Sequence, residues 1–289
     1  MAIDRSGFTR AGRSRAVLAL LRGAMPRSRA KLTLLVAGIA TAALLGAFVI
    51  PPSPVGHVTA VATTDVCAAP RAVLELGAPL ARTGLRLMKG LPVMIIAIGS
   101  SSTAGVGASD LAHGYPGQLA AELKRLFPAN PITVVNKGIS GEETPQMLAR
   151  FDRDVVKQRP DLVIWQIGSN EILRRHDPEA FRVQAEDGIA RLAHAGIDVV
   201  LMDSQYSPRL LNNPQYATFN DIMRSIAKRS KVALLDRFEA MRYWLASGRM
   251  DMPHMISKDQ LHMTDATYHC TGALLARLIE ADLPKVAAQ

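Results

Sequence analysis

Residues 91–285 are predicted to form one α/β domain, a parallel sheet with helices on both faces. Two patterns carry that prediction. The segments 93–98, 132–135, 162–167, 199–202 and 232–235 are short unbroken runs of aliphatic and β-branched residues, the composition of strands buried on both sides. Between them lie amphipathic stretches of helical length at about 115–127, 143–158, 178–195, 216–230 and 236–247, with a last one at 264–281. Strands separated by crossovers this long pair in parallel, because an antiparallel partner needs only a tight turn. In such a sheet ligands bind beyond the carboxyl ends of the strands, so the strand-to-helix turns are where chemistry is sought.

The preceding 90 residues have another character. The chain of 289 residues carries a net charge of +9, but residues 1–31 hold eight basic residues against Asp4 alone. The remaining 26 basic and 24 acidic residues leave the rest of the chain at +2, so a nucleic-acid-binding surface in the folded domain is not supported. Residues 32–50 are uncharged and mostly apolar, and no Lys, Arg, Asp or Glu recurs until Asp65. At about 1.5 Å per residue they span roughly 28 Å, a bilayer core. The expectation is a basic cytoplasmic tail (1–31), a single transmembrane helix (32–50) and an exported remainder, periplasmic in a bacterium. A cleaved signal peptide releasing a secreted protein is the alternative; the 31-residue basic lead and long apolar run argue against it. Residues 51–90, opening on Pro51-Pro52-Ser53-Pro54, are expected to be a linker, with a short helix within 70–90.

With 21 Gly, 17 Pro and 2 Cys, collagen-like, disulfide-dense and wholly disordered classes are excluded. Cys67 and Cys270 both fall on the expected exported side, where thiols pair, and are expected to form a disulfide. Neither has a Cys or His partner at a zinc spacing, and no metal or organic cofactor is expected.

Four turns carry chemically useful residues. The first strand runs into Gly99-Ser100-Ser101-Ser102-Thr103-Ala104-Gly105, a tight turn with three consecutive hydroxyls. It lacks the Gly-Lys-Ser/Thr ending of a phosphate-binding P-loop, and Gly105-Val106-Gly107 has no third glycine at dinucleotide-binding spacing, leaving a plain serine-rich turn or a nucleophile. The second strand leads to Ser140-Gly141-Glu142-Glu143, where a bare amide near a helix start can bind a developing negative charge or merely serve the turn. The third, whose Trp165 and Gln166 read as core, ends in Gly168-Ser169-Asn170, and Asn170 can offer its carboxamide N–H to the same charge or cap the turn. Asp259-Gln260-Leu261-His262 precedes the last helix. His262 is suited to act as general base with Asp259 fixing its tautomer, and no other of the seven histidines has a carboxylate so placed at a predicted strand–helix boundary.

Taken in this order, the four turns resemble those of the SGNH hydrolases, the superfamily of the GDSL esterases and lipases. The resemblance covers roughly residues 92–282. It implies a three-layer αβα sandwich of flavodoxin-like type with about five parallel strands. It also implies Ser101 as nucleophile, Asp259 and His262 completing the triad, and an oxyanion hole of the Ser101 and Gly141 amides with the Asn170 side chain. The Gly-Asp-Ser of that family reads Gly99-Ser100-Ser101 here, so Ser100 stands where an Asp is usual, with Ser100 and Ser102 as alternative nucleophiles.

The implied function is hydrolysis of a carboxylic ester through an acyl-serine, the substrate carrying a small acyl group such as acetyl on a cell-envelope saccharide. A carbohydrate O-acyltransferase and a lysophospholipase-type lipid esterase use the same residues. A non-catalytic, membrane-tethered binding domain is the alternative of another class. Gln205, Tyr206 and Arg209, after the fourth strand, are candidate substrate contacts or parts of a structural loop.

Overall fold

Alternate residues along the central strands go to opposite sides. Ile95 and Ala97 belong to one buried apolar cluster, Ile96 and Ile98 to the other, as the two-residue repeat of a strand requires. The computed structural model describes residues 65–75, 77 and 79–283 of the chain. Its strands are β1 (Leu74–Glu75), β2 (Val93–Gly99), β3 (Ile132–Gly138), β4 (Leu162–Gln166), β5 (Asp198–Met202) and β6 (Ala233–Leu235). The helices, in chain order, are α1 (Ala81–Met88), α2 (Ser101–Ala104), α3 (Tyr115–Leu126), α4 (Thr144–Asp154), α5 (Ser169–Arg174) and α6 (Pro178–His194). They continue with α7 (Pro208–Leu211), α8 (Tyr216–Ser230), α9 (Arg237–Ala246), α10 (Met252–Met255) and α11 (Asp265–Ala281).

The sheet order is β1-β6-β5-β4-β2-β3, and β2 to β6 are mutually parallel. Without β1, and counted by first appearance, that order is 2-1-3-4-5, the flavodoxin-like arrangement the resemblance implied. One face is covered by α3, α9 and α11, which contribute Leu119, Trp244 and Leu275 to its core. The other is covered by α4, α6 and α8, through Phe151, Phe181 and Phe219. The strand order reverses between β2 and β4, where crossovers leave towards opposite faces and a crevice opens at the carboxyl ends.

The linker expected over 51–90 differs in its described part. Residues 71–75 form a 3-10 turn and β1, which pairs antiparallel with β6 through Leu74↔Leu235. Leu80 and Leu87 are buried in the core, and α1 is the short helix expected within 70–90. Cys67 is bonded to Cys270 on α11, and the Trp244 indole N–H donates to the Ala68 carbonyl at 3.1 Å. Apolar side chains at Val73, Leu80 and Leu87 are what draw this stretch onto the domain.

Among the described residues no helix is long and apolar enough to cross a membrane. The expected basic tail and transmembrane segment, residues 1–50, lie outside the described residues.

Candidate active site

Ser101 is the first residue of α2, immediately after the turn that ends β2. Its Oγ lies 2.8 Å from His262 Nε2, across 161 residues of sequence. The other imidazole nitrogen, Nδ1, is hydrogen-bonded to Asp259 Oδ2. A carboxylate on Nδ1 requires the proton there, which leaves Nε2 as the acceptor facing the serine hydroxyl.

The Asp259–His262 loop is locally built. Asp259 Oδ1 accepts from the backbone amides of Leu261 and His262, both at 2.9 Å, and from Ser257 Oγ at 2.7 Å. Desolvation pushes the Asp259 carboxyl upward, but the His262 ring and these donors outweigh it and hold it well below the usual carboxylate range. The Asp259 side chain keeps 42 % of its exposure, against 14 % for His262. From the opposite side the loop is met by Gly107, whose φ of +94° suits glycine. A Cβ there would come within 2.4 Å of the Met263 carbonyl and 3.0 Å of the His262 Cβ, so only glycine lets the two loops close on each other.

The alternative serines point elsewhere. Ser100 is 2 % exposed and turned inward, its N–H and Oγ donating to Gln166 Oε1 at 3.0 and 3.1 Å. Ser102 is buried, with no partner for its hydroxyl among the described residues. The neutral Ser100 thus holds the turn through a carboxamide where the resembling family carries a carboxylate.

Gly141 and Asn170 stand on the neighbouring turns. Gly141 has φ +82°, and a Cβ would meet nothing closer than Arg174 Nη2 at 3.8 Å, so the space above it is open. Asn170 Nδ2 donates one proton to the Glu142 carbonyl at 2.7 Å, which leaves its second amide proton available. The same turns are locked by Glu171, whose Oε1 accepts from both the amide and the hydroxyl of Thr144 at 2.6 Å. Register places the ends of β2 and β3 side by side, Gly99 opposite Gly138, with β4 on the other flank of β2. All three turns therefore rise from adjacent strands beside Ser101.

The residues after β5 divide differently from expectation. Gln205 is 1 % exposed and fully engaged inside the protein, so it is not a substrate contact. Tyr206 packs edge-on against Phe238 with ring centroids 5.1 Å apart, so its ring serves the core margin. Arg209 is exposed, and its backbone N–H donates to Gln260 within the His262 loop at 3.1 Å, so it alone of the three stays at the rim. Sequence reasoning passed over Arg174, which donates to the Gly141 carbonyl at 3.0 Å and to Glu143 at 2.6 Å and brings a positive charge beside the turn. An arginine ending a short helix carries no signal of such a place in a single sequence.

Among the described residues no cluster of His, Cys, Asp and Glu could hold a metal ion.

This fold and this set of turns define a class, the SGNH/GDSL-like ester hydrolases. Within it, residues 66–284 match the model of the non-GDSL lipase-like family, and the chain belongs to that family. Its relatives include an acetylxylan esterase of Geobacillus stearothermophilus, 40 % identical over 67 residues, which are 23 % of this chain and 31 % of that enzyme. An arylesterase of Vibrio mimicus is 26 % identical over 175 residues, 60 % of this chain and 78 % of the relative. The crystal structure of an acetylxylan esterase from Geobacillus stearothermophilus superposes with a TM-score of 0.56 at 21 % identity, covering 67 % of this chain and 97 % of that one, a likeness of fold.

Proposed function

We propose that the protein hydrolyses small acyl esters, acetyl groups on a carbohydrate foremost, through a covalent acyl-serine. The observation that carries the reading is the 2.8 Å contact of Ser101 Oγ with His262 Nε2, backed by Asp259 on Nδ1. His262 takes the Ser101 proton as Oγ attacks the ester carbonyl. The negative charge on the carbonyl oxygen is met by the Ser101 and Gly141 amides and the second Asn170 amide proton. Collapse expels the alcohol, which receives the proton from His262, and water activated by the same imidazole releases the acid and frees Ser101. The carbohydrate assignment is supported by the resemblance of part of the chain to an acetylxylan esterase.

We also place the catalytic domain outside the cytoplasm, tethered by residues 32–50. Two observations support this: a disulfide, which persists in oxidising compartments, and the basic lead before the apolar run.

A chromogenic ester series from acetyl to dodecanoyl, run beside acetylated xylan and mannan, tests the substrate. Highest kcat/KM on acetyl esters and release of acetate from the polysaccharide are expected. A preference for the longest chain points to a lipid ester, and the absence of both turnover and a covalent fluorophosphonate adduct on Ser101 points to a non-catalytic binding domain. Asn170→Ala removes one oxyanion donor, a loss of about 2.7–4 kcal/mol in barrier stabilisation. Its kcat is expected to fall by roughly 10²–10³ with the acetyl ester, and an unchanged kcat removes Asn170 from the oxyanion hole.

A further inference from the structure

We propose that Gln205 is a positioning residue, the link through which a buried hydrogen-bonded chain holds the serine, oxyanion and histidine turns in register. The proposal rests on the reading of Ser101 and His262 given above.

The chain starts at Ser100, whose N–H donates to Gln166 Oε1 at 3.0 Å. Gln166 Nε2 reaches Ser169 Oγ at 3.5 Å, and Ser169 Oγ donates to Gln205 Oε1 at 2.9 Å. Gln205 Nε2 then donates to the Leu261 carbonyl at 3.1 Å. Ser100 precedes Ser101, Ser169 precedes Asn170 and Leu261 precedes His262. The bonds thus hold the residue before Ser101, Asn170 and His262, by the backbone at Ser100 and Leu261 and by the hydroxyl at Ser169. The Leu261–His262 peptide carries the series on, because its N–H donates to Asp259 Oδ1 at 2.9 Å.

Every bond runs from donor to acceptor in the same sense, so each polarises the next. Arg237, itself buried, fixes the orientation. Its Nη2 donates to Gln205 Oε1 at 3.2 Å, and a flipped carboxamide would turn an N–H towards the guanidinium. The positive charge on that oxygen strengthens the Gln205 N–H as a donor to Leu261.

Packing alone does not account for these residues. Ser100, Gln166, Ser169 and Gln205 are each no more than 4 % exposed, and a buried carboxamide is costly unless its bonds are made. A leucine or methionine would fill the space of Gln205 without that cost. What the carboxamide adds is direction: it couples the end of β5 to the backbone of the histidine loop and, through Ser169, to the oxyanion turn.

The test compares Gln205→Leu, which removes all three bonds of the carboxamide, with Gln205→Glu, which keeps an acceptor for Ser169 and Arg237 and loses only the donor to Leu261. Displacements of about 1 Å cost up to roughly 10² in rate. Both variants are expected to lose roughly 10- to 100-fold in kcat per active site, counted by fluorophosphonate titration. KM for an acetyl ester should stay within about twofold and the labelling rate of Ser101 should fall in parallel with kcat. Folded variants with kcat per titrated site near wild type, or with a loss confined to KM, overturn the proposal. Should Gln205→Leu not fold, Gln205→Glu and Ser169→Ala are judged by the same measurements. Ser101→Ala is assayed alongside. An active Ser101→Ala removes the reading of the site itself, whereas an inert one beside fully active Gln205 variants removes only the positioning role.

Discussion

Ser101→Ala is expected to abolish turnover of an acetyl ester, lowering kcat by roughly 10⁴–10⁶, and His262→Ala should lose nearly as much. The two residues act as a unit: an alcohol is a poor nucleophile at neutral pH unless a base takes its proton as it attacks. The 2.8 Å contact supplies that base. For the same reason the double variant should be scarcely worse than either single one, because removing the base from an enzyme without its nucleophile removes nothing further. The few per cent of activity that a displaced neighbouring hydroxyl could supply is not expected, since Ser100 is committed to Gln166 and Ser102 is buried. Steady-state kinetics on the purified variants checks this, and Ser101→Ala with wild-type turnover moves the nucleophile elsewhere.

The second large effect is on stability. The Cys67–Cys270 bond joins residues 203 apart in sequence. In the chain-entropy picture, opening a loop of that size restores freedom to the unfolded chain worth on the order of 5 kcal/mol. That is a third or more of the stability of a typical domain. For a domain of this size the melting temperature should fall by roughly 10 °C or more in Cys67→Ser/Cys270→Ser. The loss should be largest in the segment bearing β1, since a short antiparallel ladder, the Trp244–Ala68 bond, the Arg277–Asp65 ion pair and a few buried side chains are what would still hold residues 65–75. Urea denaturation of the oxidised protein beside the double variant measures it. Coincident midpoints would mean that the loop contributes nothing.

Much of the architecture was readable because strands buried on both faces carry few polar residues to interrupt them. β4 is Leu-Val-Ile-Trp-Gln and β5 ends Val-Val-Leu-Met, and no helical period fits such runs between turn residues. The six long helices are observed at their expected places, although α11 lacks the amphipathic pattern expected of it, its residues 270 to 276 being buried without a break. β1 could not be found this way: two residues, Leu74 and Glu75, contain no period, and their place is set by the edge of β6. The short helices α2, α5 and α7 were invisible for the same reason.

At the site, Gly141 and Asn170 stood out because residues with special backbone or polar chemistry in the turn after a strand have few other duties, and His262 by the carboxylate three residues before it in the loop leading to α11. Gln205 also follows a strand, and its position suggested a rim. What distinguishes it is the buried guanidinium of Arg237 and the carbonyl of Leu261, partners 32 and 56 residues away that local sequence does not announce.

The cystine has a topological effect as well. Ser101, Gly141, Asn170, Asp259 and His262 all lie between residues 67 and 270, inside one covalent ring. A protease cutting once anywhere in that ring opens a circle and releases no fragment. The exposed turn at 109–113, immediately downstream of Ser101, is the kind of place where such cuts fall. The two halves of a nicked molecule remain linked, and the interior contacts of the sheet can keep them assembled. That ring lets a single cut leave Ser101, Asp259 and His262 on one covalently joined molecule.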